Sequence, residues 1–466
     1  MTRRAGIREL VVAAVAAVVT SAGAAAVLLQ PPDPLRKITG TNDVAPGLAW
    51  SIDAAAMLGQ QFAEFRSPVH STSINLGGPG FIDAGDTLIT VVGVSTDESI
   101  ELRDAVMYGI DAATGETRWH APAAELSGCA AVPLDGQLVC FTDPLSRSAA
   151  LVGYDITDGA VTRTPVDWNI FALAVNDGRL FVAEGDVESD DVRVHSGVLA
   201  DPDSHWSRPF EVGTSWEDMP SDALDVTHGQ GLIALGADLA GFDLDTGTPT
   251  WTAQLDGCSR VTITEPALVE RIHTQCSGYQ ITGTDVLDRT GQVLATTSHS
   301  AAHSLSVDDP ADDSIPILLA DKAFDRRDGT VRWTNPDLLY TGPANDGGTT
   351  QRGTAVAILG EVAILHDPSS DTWSGLDLHT GETLWRNVND RSGTVSSNDD
   401  SPAILSDSTG LWALDVRTGR TLWDIPFRAV NADRDALAGN TALAPTGNGR
   451  FVLASARTML GLRPFD

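Results

Sequence analysis

Gly375-Leu-Asp-Leu-His-Thr-Gly-Glu-Thr-Leu-Trp385 reads as the end of one strand, a tight turn and the start of a second strand. An aspartate opening a turn can bond the backbone N–H groups that follow it, and a glycine four residues on can adopt the positive φ such a turn needs. The same phrase occurs as Tyr108-Gly-Ile-Asp-Ala-Ala-Thr-Gly-Glu-Thr-Arg-Trp119, Gly241-Phe-Asp-Leu-Asp-Thr-Gly-Thr-Pro-Thr-Trp251, Ala323-Phe-Asp-Arg-Arg-Asp-Gly-Thr-Val-Arg-Trp333 and Ala413-Leu-Asp-Val-Arg-Thr-Gly-Arg-Thr-Leu-Trp423. The rule is a small residue, an apolar residue, Asp, then Gly four later and Trp four after that. It selects Asp111, Asp243, Asp325, Asp377 and Asp415 with Gly115, Gly247, Gly329, Gly381 and Gly419. Partial copies are Gly153-Tyr-Asp-Ile-Thr-Asp-Gly159, without the Trp, and Asp285 to Gly291, with Ala295 at the Trp place.

Trp119, Arg163, Trp206, Trp251, Ala295, Trp333, Trp385 and Trp423 are separated by 44, 43, 45, 44, 38, 52 and 38 residues. A period of roughly 40–45 residues built from strand-like units predicts an all-β fold, a β-propeller of four-stranded blades. Helical periodicity is nearly absent after residue 60, and short alternating runs such as Gln137-Leu-Val-Cys-Phe141 dominate. Each Trp offers a large flat surface to the neighbouring blade. Beyond Trp423, the segments 441–444, 450–454 and 459–462 form a set of inner strands with no Trp strand. At the other end Gly47-Leu-Ala-Trp50-Ser-Ile-Asp53 is a Trp strand with no partners. We expect it to complete the last blade and close the ring.

The phrase resembles the tryptophan-docking motif of the pyrroloquinoline-quinone-like, or quinoprotein-type, β-propeller repeat, and the resemblance covers nearly all of residues 45–466. That family includes quinoprotein alcohol dehydrogenases and the cofactor-free propeller of the outer-membrane protein assembly machinery. Its usual blade number, eight, is the expected count; nine follows if every degenerate unit is a whole blade. For Trp50, Trp119, Trp251, Trp333, Trp385 and Trp423 the resemblance implies a structural docking role. For the dehydrogenases it implies a quinone held over calcium, a vicinal cysteine pair and a catalytic Asp. No two of the four cysteines here are adjacent, so no cofactor is expected.

Composition bounds the remaining functions. The 466 residues hold 30 basic and 63 acidic side chains, a net charge of −33. Such a body repels phosphate backbones, which disfavours nucleic acid as a partner. Lysine occurs only at Lys37 and Lys322, so no Walker-type phosphate loop can be built. Three arginines in residues 1–9 precede an uncharged run, Leu10 to Leu29. At 1.5 Å per residue this run spans about 30 Å, a bilayer core. The readings are a transmembrane signal anchor at 10–29 and a signal peptide cut after Ala22-Gly23-Ala24. The length of the run favours the anchor, with residues 1–9 cytoplasmic. Residues 30–44, with Pro31, Pro32 and Pro34, read as a stiff spacer, and 45–466 as an extracytoplasmic propeller domain attached to the cell membrane.

An exported chain allows disulfides. If Pro133 to Gly136 form a four-residue turn, Cys129 faces Cys140 across a hairpin; Cys258 and Cys276 bracket another turn signal. Four cysteines permit three connectivities, and free thiols are the alternative. Candidate metal residues are sparse. His299 and His303 are four apart in a stretch that reads as loop or strand, where they would not converge. The acidic runs 186–191, 308–313 and 398–400 lack calcium-loop spacing and read as solvated loops. No serine-nucleophile elbow and no His-Glu-x-x-His occurs. The expectation is therefore a non-enzymatic binding scaffold with an envelope protein or glycan as partner. The alternative is a quinoprotein-like enzyme, or a metal or ligand sensor using the channel.

Overall fold

The computed structural model describes residues 45–466 except 70–77, 97–98, 143–148, 187–190, 213–222, 227–228, 236–237, 255–258, 265–267, 276–279, 299–302, 304, 308–311, 313, 344–348, 390, 392, 397–401, 432–435, 438, 447–449 and 464–466. The segment expected to anchor the chain lies outside the described residues. Among those residues no helix is long and apolar enough to cross a membrane.

Nine antiparallel sheets follow one another along the chain as the blades of a propeller. The strands of blade 1 are Ala63–Arg66 with the short Ile82–Asp83, then Thr87–Thr96, Ser99–Asp111 and Thr117–Pro122. Blade 2 runs from Leu126–Cys129 through Gln137–Thr142 and Ala150–Asp155 to Val161–Pro165. Blade 3 comprises Ile170–Asn176, Arg179–Asp186, Asp191–Val198 and Asp201–Phe210. Blade 4 comprises Leu224–Asp225, Gly231–Leu235, Asp238–Phe242 and Pro249–Gln254, and blade 5 Arg260–Thr264, Leu268–Gln275, Gln280–Leu287 and Val293–Thr297. Blade 6 has three strands, Ile317–Leu319, Lys322–Phe324 and Val331–Thr334. Blade 7 has Ala355–Leu359, Val362–Asp367, Thr372–Asp377 and Thr383–Val388, and blade 8 Thr394–Ser396, Ala403–Ser406, Gly410–Leu414 and Thr421–Pro426.

Blade 9 closes the ring. Thr441–Thr446, Arg450–Ser455 and Thr458–Leu462 take Leu48–Asp53 as their outer strand. Its register sets Leu48 opposite Leu462, Trp50 opposite Gly461 and Asp53 opposite Thr458. The N-terminal strand and the last blade thus meet as the Trp pattern implies. The count is nine, not the family's usual eight. The units marked by Arg163, Trp206 and Ala295 are each whole four-stranded sheets, and those of Arg163 and Ala295 pair in full without a docking Trp, because a ladder needs backbone N–H and C=O groups and not the indole.

The core explains why the blades stack. Hydrophobic side chains gather in nine clusters, one at each joint between neighbouring blades. Side chains alternate across a strand. In Gly410–Leu414, Leu411 and Ala413 join the cluster shared with blade 9. Trp412 and Leu414 join the one shared with blade 7. Each sheet is thus buried on both faces, which is why short runs such as Ala355–Leu359 are apolar almost throughout.

Two departures account for uneven spacing. Ser306–Val307 pairs in parallel with Ala355–Leu359, so the strand that would complete blade 6 bonds blade 7 instead. Between blades 6 and 7 a short turn of helix, Pro336–Leu338, leads into a two-stranded hairpin, Leu339–Pro343 with Thr349–Gly353. This hairpin is the extra length in the 52-residue interval from Trp333 to Trp385.

Candidate functional site

The distinctive residues converge on the blade joints. In the turn that opens at Asp111, the carboxylate accepts the N–H groups of Ala113 and Thr114 at 2.9 and 2.8 Å, and the Thr114 hydroxyl at 3.0 Å. The Gly115 N–H donates to the Asp111 carbonyl at 2.8 Å, with φ at +73°. Asp243, Asp377 and Asp415 bind the N–H groups of their own turns in the same way, and Gly247, Gly381 and Gly419 close them. Asp325 accepts the Arg327 N–H at 2.9 Å and is bridged by Arg332 at 2.7 Å.

These bonds stabilise carboxylate charge. The Arg118 guanidinium, 2.5 Å from Asp111, holds that carboxyl at about 2, with the Thr114 and Ala113 bonds adding to the effect against partial burial. The Thr246 hydroxyl lowers Asp243, the Thr380 N–H lowers Asp377 and the Arg327 N–H lowers Asp325. All four are ionised at neutral pH.

Each docked indole crosses from one blade to the turn of the next. Trp50 Nε1 donates to the Ala112 carbonyl at 3.1 Å and Trp119 Nε1 to Ile156 at 3.0 Å. Trp206 reaches Leu244 at 2.9 Å and Trp251 reaches Arg289 at 2.5 Å. Trp333 reaches Leu378 at 2.8 Å and Trp385 reaches Val416 at 2.7 Å. In every case the acceptor is the residue after the turn aspartate. Two glycines then sandwich the rings of Trp50, Trp119, Trp251 and Trp385. A Cβ on Gly461 would lie 2.2 Å from Trp50, and one on Gly115 2.7 Å from it. Gly375 and Gly419 do the same to Trp385. Gly115, Gly247, Gly381 and Gly419 therefore each serve the indole of the preceding blade, whereas Gly329, which follows Ala295, lies against the Leu294 backbone. Trp423 is 3% exposed in the joint with blade 9.

Several contributors were not legible in the repeat. A β-bulge precedes the Trp in the outer strand, as between Gly109 and Ile110 or Gly375 and Leu376, and rotates the indole toward the next blade. The outer strand of blade 2 pairs without a bulge and carries Arg163, which bonds Glu125 at 2.9 Å. Leu199 of blade 3 fills the space over Gly153 instead. In blade 5 the turn aspartate is Asp288, not Asp285, because the turn is one residue shorter, with Gly291 N–H donating to the Asp288 carbonyl. Asp285 is bonded instead by Arg271, His273 and Thr296 at 2.6–2.8 Å. Asn335 and Asn387, two residues past their Trp, donate to the Gly381 and Gly419 carbonyls. The recurrence Trp-x-Asn was a visible signal for these two.

Cys129 and Cys140 face one another and form a disulfide with an S–S distance of 2.03 Å. The turn between them is tighter than the four residues expected. Leu134 bridges Gln137 around Asp135-Gly136, both at positive φ, the Asp-Gly pairing that two-residue hairpins favour. Cys258 and Cys276 lie outside the described residues, as do His299 and most of the three acidic runs. His303 is a core residue. Nε2 donates to the Ala320 carbonyl at 3.0 Å and Nδ1 accepts the Ala355 N–H at 3.2 Å, linking blades 6 and 7. Burial pushes its pKa down to about 4, so it stays neutral with both ring nitrogens committed to backbone.

The residues do not fit a quinone held over calcium. The four cysteines lie apart in sequence, and among the described residues no three His, Cys, Asp or Glu side chains are grouped to hold a metal ion. The arrangement instead builds a rigid ring whose loops remain available for contact.

Comparison with known proteins agrees with the repeat. The profile of the family described as "Outer membrane protein assembly factor BamB" matches residues 103–314 and 320–460. Among solved structures the chain is similar to BamB from Moraxella catarrhalis, at 13% identity and a TM-score of 0.43, over 90% of this chain and 97% of that one. It is also similar to the quinohemoprotein alcohol dehydrogenase from Comamonas testosteroni, at 13% identity and a TM-score of 0.44, over 91% of this chain and 77% of that one. No curated protein matches the sequence.

Proposed function

Because the chain belongs to the family of the outer membrane protein assembly factor BamB, we propose that it is a non-enzymatic binding scaffold of the cell envelope. In this reading residues 10–29 hold it in the cell membrane with its N-terminus cytoplasmic. The propeller, residues 45–466, stands outside the cytoplasm and docks an envelope protein or glycan. The observation that carries the proposal is where the distinctive side chains are used. Asp111, Asp243, Asp325 and Asp377 are spent on their own turns, the indoles on neighbouring turns, and His303 on backbone. What a rigid ring then offers is its loop surface, which suits recognition.

The test uses the full-length protein, solubilised from membranes and used as bait in envelope extract. A specific partner that is lost on competition with untagged protein supports a scaffold. A visible chromophore or stoichiometric metal in the purified protein, with turnover of an alcohol or sugar, would replace the scaffold with an enzyme. Carbonate washing of membranes tests the anchor. The protein is expected to stay in the pellet, and a soluble form beginning near Ala25 would mean a cleaved signal.

A further inference from the structure

The seam between blades 2 and 3 is built differently from the docked joints. Thr162 stands opposite Gly153, where the docked blades set a tryptophan opposite their small residue, and blade 3 joins its last two strands through Leu199-Ala200, with Val198 paired to Asp201, instead of an aspartate–glycine turn. The seam carries a polar system where the docked joints carry an indole. His195 is 2% exposed and lies on the third strand of blade 3, on the face toward blade 2. Its Nδ1 is 2.6 Å from Asp203 Oδ1 on the fourth strand, and its Nε2 is 3.0 Å from Glu184 Oε1 on the second. The ring stacks on Trp168, with centroids 3.7 Å apart and planes 15° from parallel. Trp168 belongs to the link that carries the chain from blade 2 into blade 3, and it packs with Leu199 in the cluster of this seam. Among the described residues Arg193 also faces the system, its Nε 3.8 Å from Glu184 and its Nη1 donating to Ser207.

A neutral imidazole has one N–H and one lone pair. It can donate to one carboxylate, and its other nitrogen then turns a lone pair toward the second. Both contacts are hydrogen bonds only when both ring nitrogens carry protons. The cation then sits against an aromatic face, where it is attracted rather than merely packed. We propose that the seam between blades 2 and 3 is a proton-dependent clasp. Doubly protonated His195 holds Glu184, Asp203 and Trp168 together, and loss of its proton loosens the interblade link and the corner of blade 3. The clasp is closed on the acid side and opens as pH rises. The docked indoles bind through neutral N–H groups that do not titrate in this range. An envelope scaffold with this seam changes the shape of one sector of its ring with the acidity outside the cytoplasm.

Hydrogen exchange of the full-length protein in detergent tests the proposal, at about pH 5.5 and about pH 8.5, on either side of the range in which histidine titrates. After correction for intrinsic rates, peptides covering 166–175 and 192–206 are expected to lose protection at the higher pH. Peptides of blade 8, which contains no histidine, serve as the internal reference. Glu184→Gln gives His195 a neutral partner whose amide can donate to an unprotonated nitrogen. This variant is expected to fold and to lose most of the pH dependence at those peptides. Equal protection at both pH values in the unaltered protein, or an undiminished pH dependence in Glu184→Gln, overturns the clasp.

Discussion

The closing strand can be tested through the two glycines around Trp50. Trp50 is 7% exposed, donates to the Ala112 carbonyl at 3.1 Å, and lies against Gly461 of its own sheet and Gly115 of blade 1. Trp50→Ala removes a buried indole from the joint between the last blade and the first, which costs about 3–5 kcal/mol. Gly461→Ala places a methyl 2.2 Å from the ring. Gly461 is not among the glycines at positive φ, so the steric conflict is the whole effect, and overpacking of this kind costs about 1–3 kcal/mol. The two changes must then couple. With the indole gone, the new methyl has space, and the double variant should be more stable than the sum of the single losses by about 1–3 kcal/mol. Denaturant midpoints of the full-length protein and the three variants, measured in one detergent, give the cycle. Additive losses, or a Trp50→Ala midpoint equal to that of the unaltered protein, would refute the sandwich as the source of closure.

Other outcomes follow from the same geometry. Mass spectrometry of unreduced peptides should find Cys129 linked to Cys140 and Cys258 linked to Cys276; free thiols at all four positions would contradict both. His303, held near 4 by burial against about 6.5 in an unfolded chain, is neutral in the fold. Its contribution is therefore complete above about pH 6.5 and is lost as pH falls toward 4, by up to about 3 kcal/mol. His303→Gln should flatten that part of the stability curve, and an unchanged slope would argue against it. A chain begun at residue 60 lacks the outer strand of blade 9 and should be unstable or insoluble; an unaltered melting temperature would exclude closure by Leu48–Asp53.

What the sequence made visible were the features local to one turn. Asp377 and Gly381 lie four apart because they close one loop, and Trp385 follows because its strand leaves that loop, so the phrase repeats wherever the loop does. Closure was visible for a different reason, since Trp50 and Met459–Leu462 are each half of an otherwise complete pattern. What could not be read were partners set by space alone. Leu199 covers Gly153 from another blade, and nothing in either neighbourhood announces it. Ser306–Val307 leaves its own blade for the next one because two residues carry no register signal. The blade number slipped for a related reason. Val161–Pro165 pairs as a full strand without a Trp, so the motif marks how blades are joined and not how many there are. His195 was missed because its carboxylates, Glu184 and Asp203, come from the two flanking strands.

The pairing of Leu48 with Leu462 also imposes an order in time. The two strands are separated by roughly 400 residues of sequence, and non-local pairing of this kind is slow to form. In a chain made at about 5–20 residues per second, the first strand waits roughly 20–80 s for its partner to be synthesised. Throughout that interval Leu48–Asp53 has no partner strand and is an open edge. Random search would close so long a loop at a steep entropic cost, but blades assembled in sequence bring the two ends together before they pair. The ring is therefore expected to latch last, and anything that delays the final blade lengthens the exposure of the first strand. That wait makes the N-terminal strand the segment most in need of a chaperone until Thr458–Leu462 arrives.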